Sequence, residues 1–273
     1  MPGAALGIIA GGGVLPGEVA AAAQASGRPV FIVALEHYAE PAVVSAYPHG
    51  FFRMDAVGAI RQALREHGCA DLVIIGPVKR PSILSLRPDA EGIKLLARIG
   101  KAAFAGDDGL LAAVIRVLGE DGFRVLGAHE ILGGVLAPAG QLGAVAPDAE
   151  ALGDIARGIE VLQVIGPADI GQACVVQQGI VLAVEAVEGT DAMLARVPAL
   201  ARPGPAGVLV KLAKPGQERR ADLPTLGAAT IQHAHAAGLK GVAFEAGGTI
   251  LADRSLMIEA ADAAGIFLFG VQP

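Results

Sequence analysis

Short, unbroken apolar runs alternate along this chain with longer segments whose apolar positions recur at helical spacing, and glycine or proline marks most of the joins. Leu6 to Ala10 is the first run; Gly11-Gly12-Gly13 follows, and Pro16 to Ala25 reads as a helix stopped near Gly27. The alternation continues with a strand at Pro29 to Leu35, a helix at Ala56 to His67 ended by Gly68, and a strand at Leu72 to Ile75. Helices at Ala90 to Gly100 and Leu110 to Leu118 and a strand at Phe123 to Leu126 complete this half. Strands that are apolar at every position need cover on both faces. Residues 1–130 are therefore predicted to form a Rossmann-like parallel sheet with flanking helices.

From Ile131 to Pro147 the chain carries no charge but has four glycines and two prolines, which predicts a linker over 131–147. A second α/β domain is expected over 148–273. Its helices are predicted at Leu152 to Ile165, Thr190 to Leu200, Thr225 to Ala237 and Leu256 to Ala264. Its strands are predicted at Ala173 to Gln178, Ile180 to Glu185, Gly207 to Leu212, Gly241 to Glu245 and Ile266 to Phe269.

The 273 residues are 53% hydrophobic and 18% charged, which provides a large core and excludes intrinsic disorder. A formal charge of −6 lacks the basic footprint of a nucleic-acid binder. Cys69 and Cys174 lie far apart in apolar runs and suggest neither a disulfide framework nor a zinc cluster, as expected in a reducing cytoplasm. No apolar stretch reaches the roughly 20 residues needed to span a bilayer, and the start of the chain has no basic signal-peptide region. The cytosol or a membrane surface is the expected location.

Candidate chemistry gathers at the ends of the expected strands. The turn Gly11 to Gly17 offers backbone N–H groups at a helix start, a place for phosphate, although Pro16 stands where a dinucleotide fingerprint needs its third glycine. Glu36 could mimic the ribose-binding acid of that fingerprint. Lys79 and Arg80 follow the strand ending at Ile75 and either grip a pyrophosphate or are solvated. In Gly106-Asp107-Asp108-Gly109, Asp108 is placed to cap the next helix, and Thr190 or Asp191 is placed likewise. The segment Lys211 to Thr225 concentrates Lys211, Lys214, Arg219 and Arg220 around Glu218 and Asp222. Asp222 reads either as a cap for the helix expected at Thr225 or as an acid that binds a metal or positions water for an anionic substrate. His233 and His235 point apart on a helix and make a poor metal pair. Without a His/Cys site, any cation must rely on oxygen ligands, which suits Mg²⁺ or Mn²⁺.

Five segments in order, LGIIAGGGVLPGEVA, GPVKRP, AGDDGLL, VEAVEGTDAML and KLAKPGQERRADLPTLGAATI, resemble the LpxI-type UDP-2,3-diacylglucosamine pyrophosphatases of lipid A biosynthesis across nearly the whole chain. The resemblance implies Mg²⁺-dependent hydrolysis of UDP-2,3-diacylglucosamine to UMP and 2,3-diacylglucosamine 1-phosphate (lipid X), with water directed at the β-phosphorus. It also implies a cytoplasmic protein peripheral to the inner membrane of a Gram-negative cell. The Gly/Pro-rich boundary at 131–147 is expected to let the two halves move, with substrate in the cleft between them and oligomerisation open. Asp222 corresponds to the family's catalytic acid, and Gly12, Gly13, Val14, Leu15, Asp108, Thr190, Asp191, Lys211, Lys214, Gln217 and Arg220 would line the substrate. Asp222 and Asp191 are the candidate metal ligands. Glu218 departs from the Asp that the family pattern leads one to expect. The competing readings are a nicotinamide-dependent oxidoreductase and a non-enzymatic carrier of nucleotide sugars or lipids.

Overall fold

The strands form where apolar residues are buried on both faces, and a computed structural model describing residues 4–79, 86–100 and 107–273 arranges them in two units. One comprises Met1–Gly133 with Glu218–Asp222; the other comprises Gly134–Gln217 with Leu223–Pro273.

In the first unit β1 (Ala5–Ala10), β2 (Val30–Leu35), β3 (His49–Phe52), β4 (Cys69–Ile75) and β5 (Arg124–Leu126) make one sheet in the order β3-β2-β1-β4-β5. All pairs are parallel. The flanking helices are α1 (Leu15–Ala25), α2 (Pro41–Val44), α3 (Val57–Glu66), α4 (Ala90–Ile99), α5 (Asp107–Glu120) and α6 (Ala128–Leu132). Every residue of β2 is buried, as a sheet covered on both sides requires. Phe31 and Val33 pack with Leu64 of α3, Leu72 of β4 and Ile115 of α5. At the amino end of the strands Asp71 takes Arg124 in a two-bond pair at 2.7 and 2.8 Å and Arg28 at 2.5 Å, and these bonds hold its carboxyl below the usual range despite its burial.

In the second unit β6 (Gly140–Leu142), β7 (Ala173–Gln177), β8 (Ile180–Val184), β9 (Val208–Lys211), β11 (Gly241–Glu245) and β13 (Phe267–Val271) order as β6-β13-β11-β9-β7-β8. The central strands β9, β11 and β13 are parallel, and β6, β7 and β8 join antiparallel. Side chains alternate across the sheet. Cys174 and Val176 of β7 meet Ile155 and Leu162 of α7 (Ala149–Ile165). Ala173 and Val175 face Leu194 of α8 (Thr190–Arg196), Ile231 of α9 (Ala228–Ala236) and Met257 of α10 (Arg254–Ala264). Both cysteines are free, and burial pushes Cys69 up to about 11 and Cys174 to about 12.

Several expectations change. The segment 131–147 contains β6, which the edge of β13 recruits, and Ala137 is buried with its N–H on Thr249. The helix expected from Thr225 starts at Ala228, because Thr225–Leu226 form a short strand, β10, beside β12 (Ile250–Leu251). The helix expected from Leu110 begins at Asp107, so Asp108 sits in its first turn rather than at its cap. The helix beginning at Thr190 ends at Arg196 and tightens into a 3-10 turn over Val197–Ala199.

Candidate active site

The order of the first sheet reverses between β1 and β4, and in open α/β sheets the ligand crevice lies beyond the strand ends at such a point. Here backbone fills it. The Gly11 N–H donates to Ile75 O at 2.9 Å and the Gly12 N–H to Pro77 O at 3.0 Å, extending the β1–β4 ladder into the glycine turn. A side chain at Gly76, whose φ is +99°, would come within 2.5 Å of the Gly12 carbonyl oxygen. The Gly13 N–H donates to the Glu40 carboxylate at 3.2 Å. The three donors that the sequence suggested for phosphate are thus engaged. Val14 and Leu15 at the start of α1 are the positions left to meet an anion, and Val14 is exposed. This arrangement weakens the dinucleotide reading, which needs those backbone donors at the pyrophosphate.

Lys79 is exposed at the end of the turn after β4, and its carbonyl accepts the Tyr38 hydroxyl at 3.0 Å. Arg80 lies outside the described residues, as does the side chain of Asp107. The first unit also receives Asp222. Glu218 to Asp222 form a single turn in which the N–H groups of Ala221 and Asp222 both donate to Glu218 O at 3.0 Å, while Ala221 packs against the core around Phe31 and Leu72. Arg220 clasps Glu218 through two bonds at 2.7 and 2.6 Å, which hold the Glu218 carboxyl below its usual range. The helix-cap role for Asp222 is overturned, since α9 begins at Ala228 with Gly227 as its cap. Asp222 is a half-buried acid held on a one-turn platform.

In the second unit the end of β9 places Lys211, 7% exposed, where its Nζ donates to Thr190 Oγ1 at 3.1 Å and Thr225 O at 3.5 Å. Thr190 does not cap α8: Gly189 is the cap residue, and the Thr190 hydroxyl donates to Glu185 at 2.7 Å. Lys214 pairs with Asp169, and its N–H donates to Oε1 of the buried Gln217 at 2.9 Å. Asp191 meets His233 Nδ1 at 3.0 Å on the surface. Asp169 and the buried Glu245, which accepts the Ala213 N–H at 2.9 Å, are charged groups that sequence reasoning missed. Asp169 is 45 residues from Lys214, so no local spacing could reveal that pair.

Family models for the LpxI N-terminal domain and the LpxI C-terminal domain match residues 5–135 and 138–269. The chain belongs to the LpxI family. A relative from Caulobacter vibrioides, named UDP-2,3-diacylglucosamine pyrophosphatase LpxI, is 46% identical over 274 residues that cover 98% of each chain. The LpxI halves meet near the division between the two units, but the LpxI C-terminal match includes Glu218–Asp222, which the fold assigns to the first unit.

Among the described residues of this LpxI-family chain, no three His, Cys, Asp or Glu side chains form a group able to hold a metal ion. The two expected ligands fall in separate units, Asp222 in the first and Asp191 in the second. Each offers a single carboxylate, a ligand type that suits Mg²⁺, which commonly binds through one or two carboxylates together with substrate phosphates. None of the described helices is long and apolar enough to cross a membrane.

Proposed function

We propose that this chain hydrolyses the pyrophosphate of UDP-2,3-diacylglucosamine to UMP and 2,3-diacylglucosamine 1-phosphate. The observation that carries the reading is the match to a relative bearing that activity in its name, at 46% identity along 98% of both chains. One water is consumed: its oxygen joins the β-phosphorus, the bridging P–O bond breaks, and UMP leaves. Asp222 accepts the proton of the attacking water. Asp222 and Asp191 are the residues that would hold Mg²⁺, or Mn²⁺ in its place, which would supply charge neutralisation at the phosphates.

One substrate molecule engages residues of both units in this reading. Lys79, Asp108 and Arg220 of the first, with Val14 and Leu15, and Thr190, Asp191, Lys211, Lys214 and Gln217 of the second, contact it. On binding, phosphate oxygens replace Asp169 and Glu218 as the partners of Lys214 and Arg220. The diacylated substrate resides in a membrane, so the chain works peripherally at the cytoplasmic face of the inner membrane.

Purified chain incubated with UDP-2,3-diacylglucosamine and Mg²⁺ should release UMP and lipid X, stop with chelator and recover with added Mg²⁺. No UMP release overturns the activity, and full turnover after exhaustive chelation overturns the metal requirement. Thermal stabilisation by NAD but not by UDP would favour the nicotinamide reading instead.

A further inference from the structure

Glu185 follows the last residue of β8 and is 6% exposed, a carboxylate taken almost entirely out of water. Its Oε2 accepts the Gln172 N–H at 3.1 Å, and its Oε1 accepts the Thr190 hydroxyl at 2.7 Å. Gln172 is itself pinned, because its carbonyl accepts the N–H of Leu212, the residue after Lys211, at 2.9 Å. The carboxylate is therefore fixed to the backbone beside the end of β9. Two neutral donors are weak compensation for a buried charge. The cation linked to it through the shared hydroxyl is Lys211, whose Nζ lies 3.1 Å from the same Thr190 oxygen.

Threonine has one hydroxyl proton and two lone pairs. With the proton committed to Glu185, the oxygen presents only lone pairs to Lys211, and this sets the direction from which the ammonium approaches. Lys211 ends a parallel strand, at the edge where α/β sheets meet their ligands. In the same corner Gln172 Oε1 is buried with no hydrogen-bond partner among the described residues.

We propose that Glu185 is a positioning residue which, through the Thr190 hydroxyl, aims the Lys211 ammonium at a phosphate of the nucleoside diphosphate substrate. The inference rests on the reading of Lys211 as a phosphate-binding cation. Glu185 touches neither substrate nor metal and acts only through Thr190 and Lys211.

The test is a mutant cycle in the full chain, read by UDP affinity in calorimetry and by kcat/KM for UMP release, with melting temperatures recorded on every sample. Glu185→Gln and Lys211→Met should each weaken UDP binding about tenfold to a hundredfold, the scale of a lost hydrogen bond to a charged group. In the Lys211→Met background, Glu185→Gln should cost nothing further. Thr190→Val, which keeps shape but removes the hydroxyl, should reproduce the loss, and Thr190→Ser should stay within about threefold of the wild type, since its hydroxyl maintains the charge-assisted bonds. Should Glu185→Gln fail to fold, the two Thr190 variants carry the test. Additive losses in the cycle, or wild-type affinity in Thr190→Val, overturn the proposal. Unchanged UDP affinity and turnover in Lys211→Met instead overturn the underlying reading of Lys211.

Discussion

At the carboxyl edge of the first sheet, Gly11 and Gly76 press backbone against backbone and Glu40 occupies the next N–H, whereas at the corresponding edge of the second sheet β9 and β11 end in Lys211 and Glu245, both buried charges. The same topological location is thus used for shape in one unit and for charge in the other. In the first unit that strand end is closed by glycine, and the turn carrying Asp222 comes to the unit from beyond Gln217. The second unit carries buried charges on the sheet edge itself and holds each by hydrogen bonds to neighbours such as Thr190 and Ala213.

Gly11→Ala should strike the first arrangement hardest. The new methyl would overlap the Gly76 carbonyl, and two backbones cannot rotate aside as side chains do. A loss of about 2–3 kcal/mol in urea unfolding is expected, the scale of overpacking. A cost below about 0.5 kcal/mol, the range of ordinary surface substitutions, would show that the two loops separate easily.

Asp71→Asn sharpens the comparison from the amino end of the same sheet. It should cost about 1–2 kcal/mol at neutral pH, reduced from a fully buried charged bond by the exposure of Arg124. Because the folded Asp71 carboxyl lies below its ordinary value near 3.8, its contribution is present above that pH and is lost as the pH falls through the folded value. Urea melts at neutral pH and in acid should therefore converge for wild type and variant as Asp71 protonates, with turnover unaffected at neutral pH. A gap that persists in strong acid would assign the cost to shape rather than charge.

The smallest effect is expected at Asp191→Ala on the second unit's surface. Its pair with the half-exposed His233 should contribute under about 0.5 kcal/mol to folding. A turnover loss without a stability change would place Asp191 at the substrate, and no change in either would remove it from the site.

The long elements were legible because burial on both faces writes itself into the sequence as continuous apolar runs, as in Val30–Leu35 and Gly241–Glu245. The two-residue strands Thr225–Leu226 and Ile250–Leu251 were not, since two residues carry no periodicity and their pairing is made across the chain. The cluster of cations and acids from Lys211 to Asp222 stood out by composition, but its assignment was hidden. Lys214 finds Asp169, Lys211 finds Thr190, and Ala221 finds the first unit's core through nonlocal contacts that sequence spacing does not encode. The free donors expected of the glycine turn failed for the same reason, because Ile75, Pro77 and Glu40 are distant in sequence and adjacent in the fold.

The most direct test of the account is UMP release by Asp222→Ala, measured with UDP affinity and melting temperature on the same sample. Asp222 does not cap α9, so no loss of a helix cap accompanies its removal. The expected result is a folded protein that binds UDP near the wild-type level and whose turnover falls at least about a hundredfold, the scale for removing a general base. Near-normal turnover in that variant would contradict the assignment of Asp222 as the catalytic acid.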